Sequence, residues 1–214
     1  MNAHSTPQRH HAGFTRTELL VVLAVAAATA FALAVLRSVA ASSKHSDVPC
    51  IAQLKRLGLG FRVWADDHLG QFPMQVSTNE GGALEPAMIG DIRRVFQVLS
   101  NELSTPRILT CPQDSRASAT SFSRLAPQNL SYLGTLDARA SAPWDWLSGD
   151  ANLAASGTPL PSGRLILTNR EPLGWTSARH QGKGNLLLTD GSVRLLTTIP
   201  WATNSAATVR LVIP

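Results

Sequence analysis

Cysteine is scarce in this chain: Cys50 and Cys111 are the only two among 214 residues. They form no Cys-x-x-Cys pair and no paired metal-ligand motif accompanies them, so the sequence carries no zinc signature. A Gly-x-Ser-x-Gly nucleophile elbow is also missing, as are EF-hand spacing and any nucleotide-binding motif, which removes the usual warrants for a hydrolase, a calcium sensor or an ATPase. No internal repeat occurs at solenoid periods. Nor is there a block of one charge. The net charge is +5, but residues 1–68 hold seven Lys/Arg against four Asp/Glu, and residues 69–214 hold twelve against ten. The distal part is therefore nearly balanced, and nucleic acid is an unlikely partner.

What the chain does have is one long apolar run, Leu19 to Leu36, eighteen residues with Thr29 as their only polar member. That length suits a membrane span. Counted from Phe14, the helix would reach roughly 35 Å at about 1.5 Å per residue. Glu18 sits at its mouth. A carboxylate beside hydrocarbon costs a few kcal/mol on insertion scales and normally implies a partner.

The stretch Gly13-Phe14-Thr15-Arg16-Thr17-Glu18, after a short basic leader and before the apolar run, resembles the class III signal of type IV pilins and type II secretion pseudopilins. The resemblance implies a leader over residues 1–13, cleaved by a prepilin peptidase between Gly13 and Phe14, and methylation of the new Phe14 amine. It implies a transmembrane and assembly helix with its stem over residues 14–68, and a periplasmic head over residues 69–214. Glu18 would neutralise the Phe14 amine of a neighbouring subunit, since a buried charge is tolerated only when paired. Partners would be other pilin or pseudopilin subunits and an inner-membrane assembly platform. The fold expected is α+β: a long N-terminal helix, broken near Pro49, packed on a small antiparallel sheet. Arg16 and Thr17 depart from the aliphatic residues usual there. A conventional secretory signal is the alternative, with Ser38-Val39-Ala40 as its cleavage site and Ala41 as the mature terminus.

Beyond the run, Pro49 predicts a helix restart, with Ser46 or Asp47 as cap. Ile51, Leu54, Leu57, Phe61, Trp64 and Ala65 recur at three and four, one face of a helix ending at His68-Leu69-Gly70. Residues 74–90 read as a surface loop. A second helix is expected from an Asp91 cap through Leu103, then a short strand over 108–110, a strand over 130–136, an irregular stretch over 137–162 and a strand over 164–168. Asn185 to Thr197 reads as a β-hairpin around a two-residue Asp190-Gly191 turn.

His180, ten residues before Asp190, completes a His-x9-Asp-Gly pattern. With Tyr132, Leu136-Asp137, Gly149-Asp150, Asn152, Trp175 and Gly184-Asn185, it resembles the C-terminal signature of pseudopilin-like proteins of the Planctomycetes and Verrucomicrobia type. The expected role of His180 is structural, hydrogen-bonding backbone near the hairpin, with no catalytic residue in the chain. Some major pseudopilins hold calcium in a C-terminal loop, and Asp150, Asn152 and Asp190 are the hard oxygen donors that such a site would use here. Cys50 and Cys111 are open to two readings, a disulfide of an exported protein or two buried thiols. Trp144 and Trp146 are either interface anchors or cover for the head's own core. A head that binds DNA, polysaccharide or a surface, rather than one that only assembles, stays as a second reading.

Overall fold

The computed structural model describes residues 15–43, 47–168, 172–199 and 208–214. Gly13, Phe14 and the leader lie outside the described residues. The chain divides into two compact units, Met1–Lys44 and His45–Pro214.

The first unit carries α1 (Arg16–Ser43). Among its described side chains none is buried, and Phe31 is 73 % exposed. Residues Arg16–Arg37 make the one helix, among the described residues, long and apolar enough to cross a membrane. A helix that is apolar all round has no polar face to give to water. It needs lipid or other apolar surfaces around it.

The second unit opens with α2 (Val48–Asp66), which has Pro49 in its first turn. Proline is accepted there because its missing N–H is one that the helix cannot satisfy anyway. Leu54, Leu57, Phe61, Trp64 and Ala65 are buried along one face, as their spacing predicts. Three short helices follow, α3 (Leu84–Met88), α4 (Ile92–Val98) and α5 (Ser100–Leu103). Asp91 caps α4, its carboxylate accepting from the Arg93 N–H at 3.1 Å. The single helix expected over 91–103 is broken at Leu99. The expected loop over 74–90 does more than cover surface: Met74, Val76, Ala83 and Ala87 are buried in the core. Residues Pro106–Leu109 form a 3₁₀ turn in place of the expected strand, because Pro106 presets a helical φ and Thr105 caps it through Arg107 N.

Among the described residues nine strands make two sheets. They are β1 (Tyr132–Thr135), β2 (Trp146–Asp150), β3 (Leu153–Ala155), β4 (Thr158–Pro159), β5 (Gly163–Thr168), β6 (Leu173–Trp175), β7 (Gly184–Leu188), β8 (Val193–Leu196) and β9 (Thr208–Ile213). The large sheet runs β5-β9-β1-β2-β7-β8 and the small one β4-β3-β6, with antiparallel pairing throughout. The α+β class expected from the sequence is thus present, with the large sheet packed against α2. Two features differ from expectation. Residues 137–162 hold three strands rather than irregular chain, and the C-terminal β9 sits inside the sheet between β5 and β1.

Side chains alternate across the large sheet with period two. Tyr132, Leu147, Leu187 and Val212 join the core beneath α2. Their neighbours Leu133, Trp146, Leu186, Leu188, Leu211 and Ile213 face the other way, in a second core shared with Leu153, Leu173 and Trp175 of the small sheet. Burial on both faces explains why β7 reads as an unbroken Leu-Leu-Leu run. At Gly58 the α2 backbone meets the sheet closely: a Cβ there would lie 2.8 Å from the Leu187 side chain.

The hairpin is real but its loop is longer than expected. Leu187 pairs with Val193, and Leu188 N donates to Ser192 O, so Thr189, Asp190 and Gly191 form a three-residue loop. Gly191 takes φ +84°, which suits a turn followed by a left-handed residue.

Cys50 and Cys111 are joined by a disulfide, with Cα atoms 5.3 Å apart. The bridge ties the first turn of α2 to the turn after residue 109. Closing a span of 61 residues stabilises the fold by about 4 kcal/mol in the chain-entropy description. Equilibrium urea unfolding of Cys50→Ser/Cys111→Ser should therefore show a deficit of about that size against the oxidised chain; an unchanged midpoint would contradict it.

Candidate functional site

Two places in the structure gather chemistry: the N-terminus of α1, and a buried polar cluster at the start of α2.

At the first, Thr15 precedes α1 as its N-cap and Glu18 stands at the third helical position. Thr15 N and Thr15 Oγ1 donate to Glu18 Oε2 at 2.8 and 2.9 Å, and Glu18 N donates to Thr15 Oγ1 at 3.3 Å. Each residue thus satisfies the other's orphan N–H, which is the reciprocal capping of a Thr-x-x-Glu motif. Glu18 is the one acid in α1. Its carboxylate already has hydrogen-bond donors within its own chain, placed at the helix end where a negative charge is favoured.

The second place is built on His180. Its expected backbone partners near the hairpin are replaced by carboxylates. Nδ1 lies 2.6 Å from Asp47 Oδ1 and Nε2 lies 3.3 Å from Asp150 Oδ2. The Asn185 amide, at 3.3 Å, and the Cys111 sulfur, at 3.5 Å, also face Nε2. Asp47 takes the N-cap position of α2 without capping it; its oxygen serves His180 and the Gln113 amide instead. The histidine reaches this position through a tight loop in which His180, Gln181 and Gly182 all have positive φ, at 49°, 55° and 80°. For His180 and Gln181 that conformation stores roughly 1–3 kcal/mol each, which the surrounding contacts must offset.

Arg179, also buried, supplies the counter-charge. Its Nη1 lies 3.2 Å from Asp114 Oδ2 and 3.5 Å from Asp150 Oδ1, and donates to Ser131 O at 2.9 Å. Asp150 accepts from both the backbone and side-chain nitrogens of Asn185, at 2.7 and 2.9 Å. Burial nonetheless dominates and pushes the Asp150 carboxyl above its ordinary value, against the pull of Arg179, Asn185 and His180. The same burial, with Asp150 beside it, lifts the Tyr132 hydroxyl well above its usual range; that hydroxyl donates to Gln53 of α2 at 3.1 Å.

The residues singled out by sequence are not all brought together. Asp150 lies beside Asn185 at the start of β7, whereas Asp190 lies past its end, five residues on or roughly 16 Å at about 3.3 Å per residue. His180 sits at the Asp150 end, so the two halves of the His-x9-Asp-Gly pattern occupy opposite ends of one strand. Asp190 is committed to the turn: its Oδ1 accepts from Ser192 N at 2.8 Å and its carbonyl from Arg62 of α2 at 2.8 Å. Asn152 donates to Thr176 O at 3.0 Å. The calcium set Asp150, Asn152 and Asp190 is thus separated by the sheet register. Trp146 is buried in the second core, while Trp144 is half exposed with the Arg194 guanidinium 5.1 Å above its ring. Sequence reasoning missed Asp47, Asp114 and Arg179 as members of the cluster. Their signal was weak: an Arg adjoining His180, and an Asp three residues after Cys111.

Removing the central cation should expose how much the cluster matters. Arg179→Met leaves two buried carboxylates without their shared cation and should cost about 3–5 kcal/mol, whereas Arg93→Met, which breaks a solvent-accessible, part-buried pair with Asp91, should cost under about 1 kcal/mol. The pH dependence has a definite sign. A carboxyl whose folded value is raised contributes most when protonated, and loses that contribution as pH rises through the folded value. The Arg179→Met deficit should therefore shrink as the pH is lowered below Asp150's raised value; urea unfolding over a pH series from neutral into acid checks it, and a deficit that grows in acid would refute the assignment. No protein-family model matches the chain, and no curated protein or solved structure matches it.

Proposed function

We propose that the chain is a membrane-anchored, pilin-like assembly subunit, with α1 as anchor and packing rod and the second unit as a head on the far side of the inner membrane. The observation that carries this reading is the combination, in α1, of an apolar and exposed stretch over residues 19–36 with a single acid, Glu18, at the first turn. A cleaved export signal needs the apolar surface, and its helix cap would be served as well by an uncharged glutamine; the charge of Glu18 is what an assembly partner uses. The antiparallel head on an amphipathic α2 is consistent with such an architecture.

In this reading a prepilin peptidase frees the Phe14 amine, and Glu18 of one subunit meets the amine of the next as their helices pack. The Thr15 cap gives the step a starting state. Before assembly the acid is held by its own chain, so it enters the membrane edge with hydrogen bonds already made. Assembly then exchanges these neutral donors for a full positive charge, whose attraction for the carboxylate strengthens as packing removes water from the pair. Growth would depend on a membrane platform and an ATPase supplied by other chains.

Mass analysis of the mature N-terminus tests the anchor directly: N-methylated Phe14 is expected, and a terminus at Ala41 would show a released protein instead. Glu18→Gln separates the two roles of the acid, because glutamine still completes the capping box but carries no charge. The variant should keep α1 helical and membrane-inserted while incorporation into assemblies, measured by cross-linking, falls at least tenfold. Assembly at the wild-type level would remove the charge-pairing mechanism.

A further inference from the structure

The Cys50–Cys111 bridge does not sit in a purely apolar core. The two sulfurs and His180 Nε2 all lie within 4.8 Å of one another, and all three residues are buried. Three further facts distinguish this grouping from a disulfide that merely passes near a histidine. His180 is oriented by a carboxylate on its other nitrogen, Asp47 on Nδ1 at 2.6 Å, the arrangement that fixes the tautomer of metal-binding histidines and makes Nε2 the acceptor, here facing the Asn185 amide nitrogen at 3.3 Å. Nε2 also faces Cys111 Sγ at 3.5 Å. A tetrahedral zinc, with bonds of about 2.3 Å to sulfur and 2.0 Å to nitrogen, sets a sulfur–nitrogen edge of about 3.5 Å. Finally, Asn185, fully buried beside Nε2, has a side-chain oxygen without a hydrogen-bond partner.

We propose that the reduced chain binds one zinc-class divalent ion through Cys50, Cys111 and His180, and that the disulfide is the alternative, metal-free state of the same site. Separation of the sulfurs to about 3.8 Å, the edge of a tetrahedral zinc site, is the main change required. The two thiolates neutralise the ion's two positive charges, and Asp150 keeps Arg179 as its counter-charge. Both thiol protons are released on binding, as thiolate ligation demands. Oxidation then runs by exchange with a disulfide-bearing oxidant. The two thiolates form the Cys50–Cys111 bond, the oxidant takes up two electrons and two protons as two thiols, and the ion leaves. In a reducing compartment the metal state holds α2 to the turn at Cys111; in an oxidising one the covalent bond takes over. The first turn of α2 is thus fastened on both sides of a membrane by the same pair of residues. This inference is independent of the filament reading.

Cobalt(II) titration of the full-length chain in detergent micelles tests it, with a phosphine reductant that carries no thiol. The reduced wild type should bind one Co²⁺ per chain, with a sulfur-to-cobalt charge-transfer band and visible bands of tetrahedral intensity, both removed by excess Zn²⁺. The oxidised chain should show neither. Asp47→Asn, which keeps all three ligands and an oxygen at the same position but removes the charge that orients the histidine, should weaken binding about 10–100-fold. His180→Asn should lose the nitrogen ligand and weaken it at least as much. Equal affinity in His180→Asn, no cobalt–sulfur band in the reduced wild type, or binding only by chains that have lost their near-ultraviolet dichroism would each overturn the proposal.

Discussion

Asp47 and His180 are 133 positions apart and meet at 2.6 Å. Beside them, Cys50 reaches across to Cys111. Asp47 and Cys50 are three residues apart, so they leave the start of α2 on one face, the face that Leu54, Leu57 and Phe61 continue. One ionisable contact and one covalent bond therefore fix where the helix begins and which way its apolar stripe looks. Once that is set, Gly58 lets the helix settle against Leu187 and the large sheet has its roof. The rest of the second unit follows from this docking.

The site that holds the helix is polar and lies in a low-dielectric interior, so its members must satisfy each other. Arg179 is shared between Asp114 and Asp150, and Asn185 gives both its nitrogens to Asp150. Even so, Asp150 stays above its ordinary value, which shows that desolvation outweighs the favourable contacts. Such a cluster is a poor source of net stability compared with apolar packing. Its consequence is specificity: only one register of β2, β7 and the loop of residues 179–182 brings all the partners together.

The chain contains two long helices that obey opposite rules. One surface of α2 is apolar and buried, and the other carries Lys55, Arg56, Asp66 and Asp67. α1 has no polar face at all, and its single acid is managed at the end of the helix by Thr15. Amphipathic patterning produces a helix that completes a core, whereas uniform apolarity produces one whose neighbours must come from outside its own unit. The functional proposal rests on that contrast.

Local patterns made much of this structure legible. The apolar run, the period of α2, Asp91 as a cap and the strands around Asp190-Gly191 each depend on residues near one another in sequence. Where tertiary contacts decide, the sequence said little or misled. The strands at 146–150 and 208–213 are held by partners elsewhere in the chain, and those at 153–155 and 158–159 are only two or three residues long, so none stood out from loop. Residues 108–110 had strand-like side chains, yet Pro106 and a threonine cap turned them into a 3₁₀ helix. The clearest case is His180. Its expected partners were backbone groups near the hairpin, but a five-residue strand of roughly 16 Å, at about 3.3 Å per residue, separates it from the Asp190 turn, and folding delivers Asp47, Cys111 and Asp150 instead. Sequence determined which segments are apolar and with what period, because that is a property of neighbouring residues. Which charges meet was decided only by the packing of α2 on the sheet, because a desolvated carboxylate takes whatever partner the fold brings within reach.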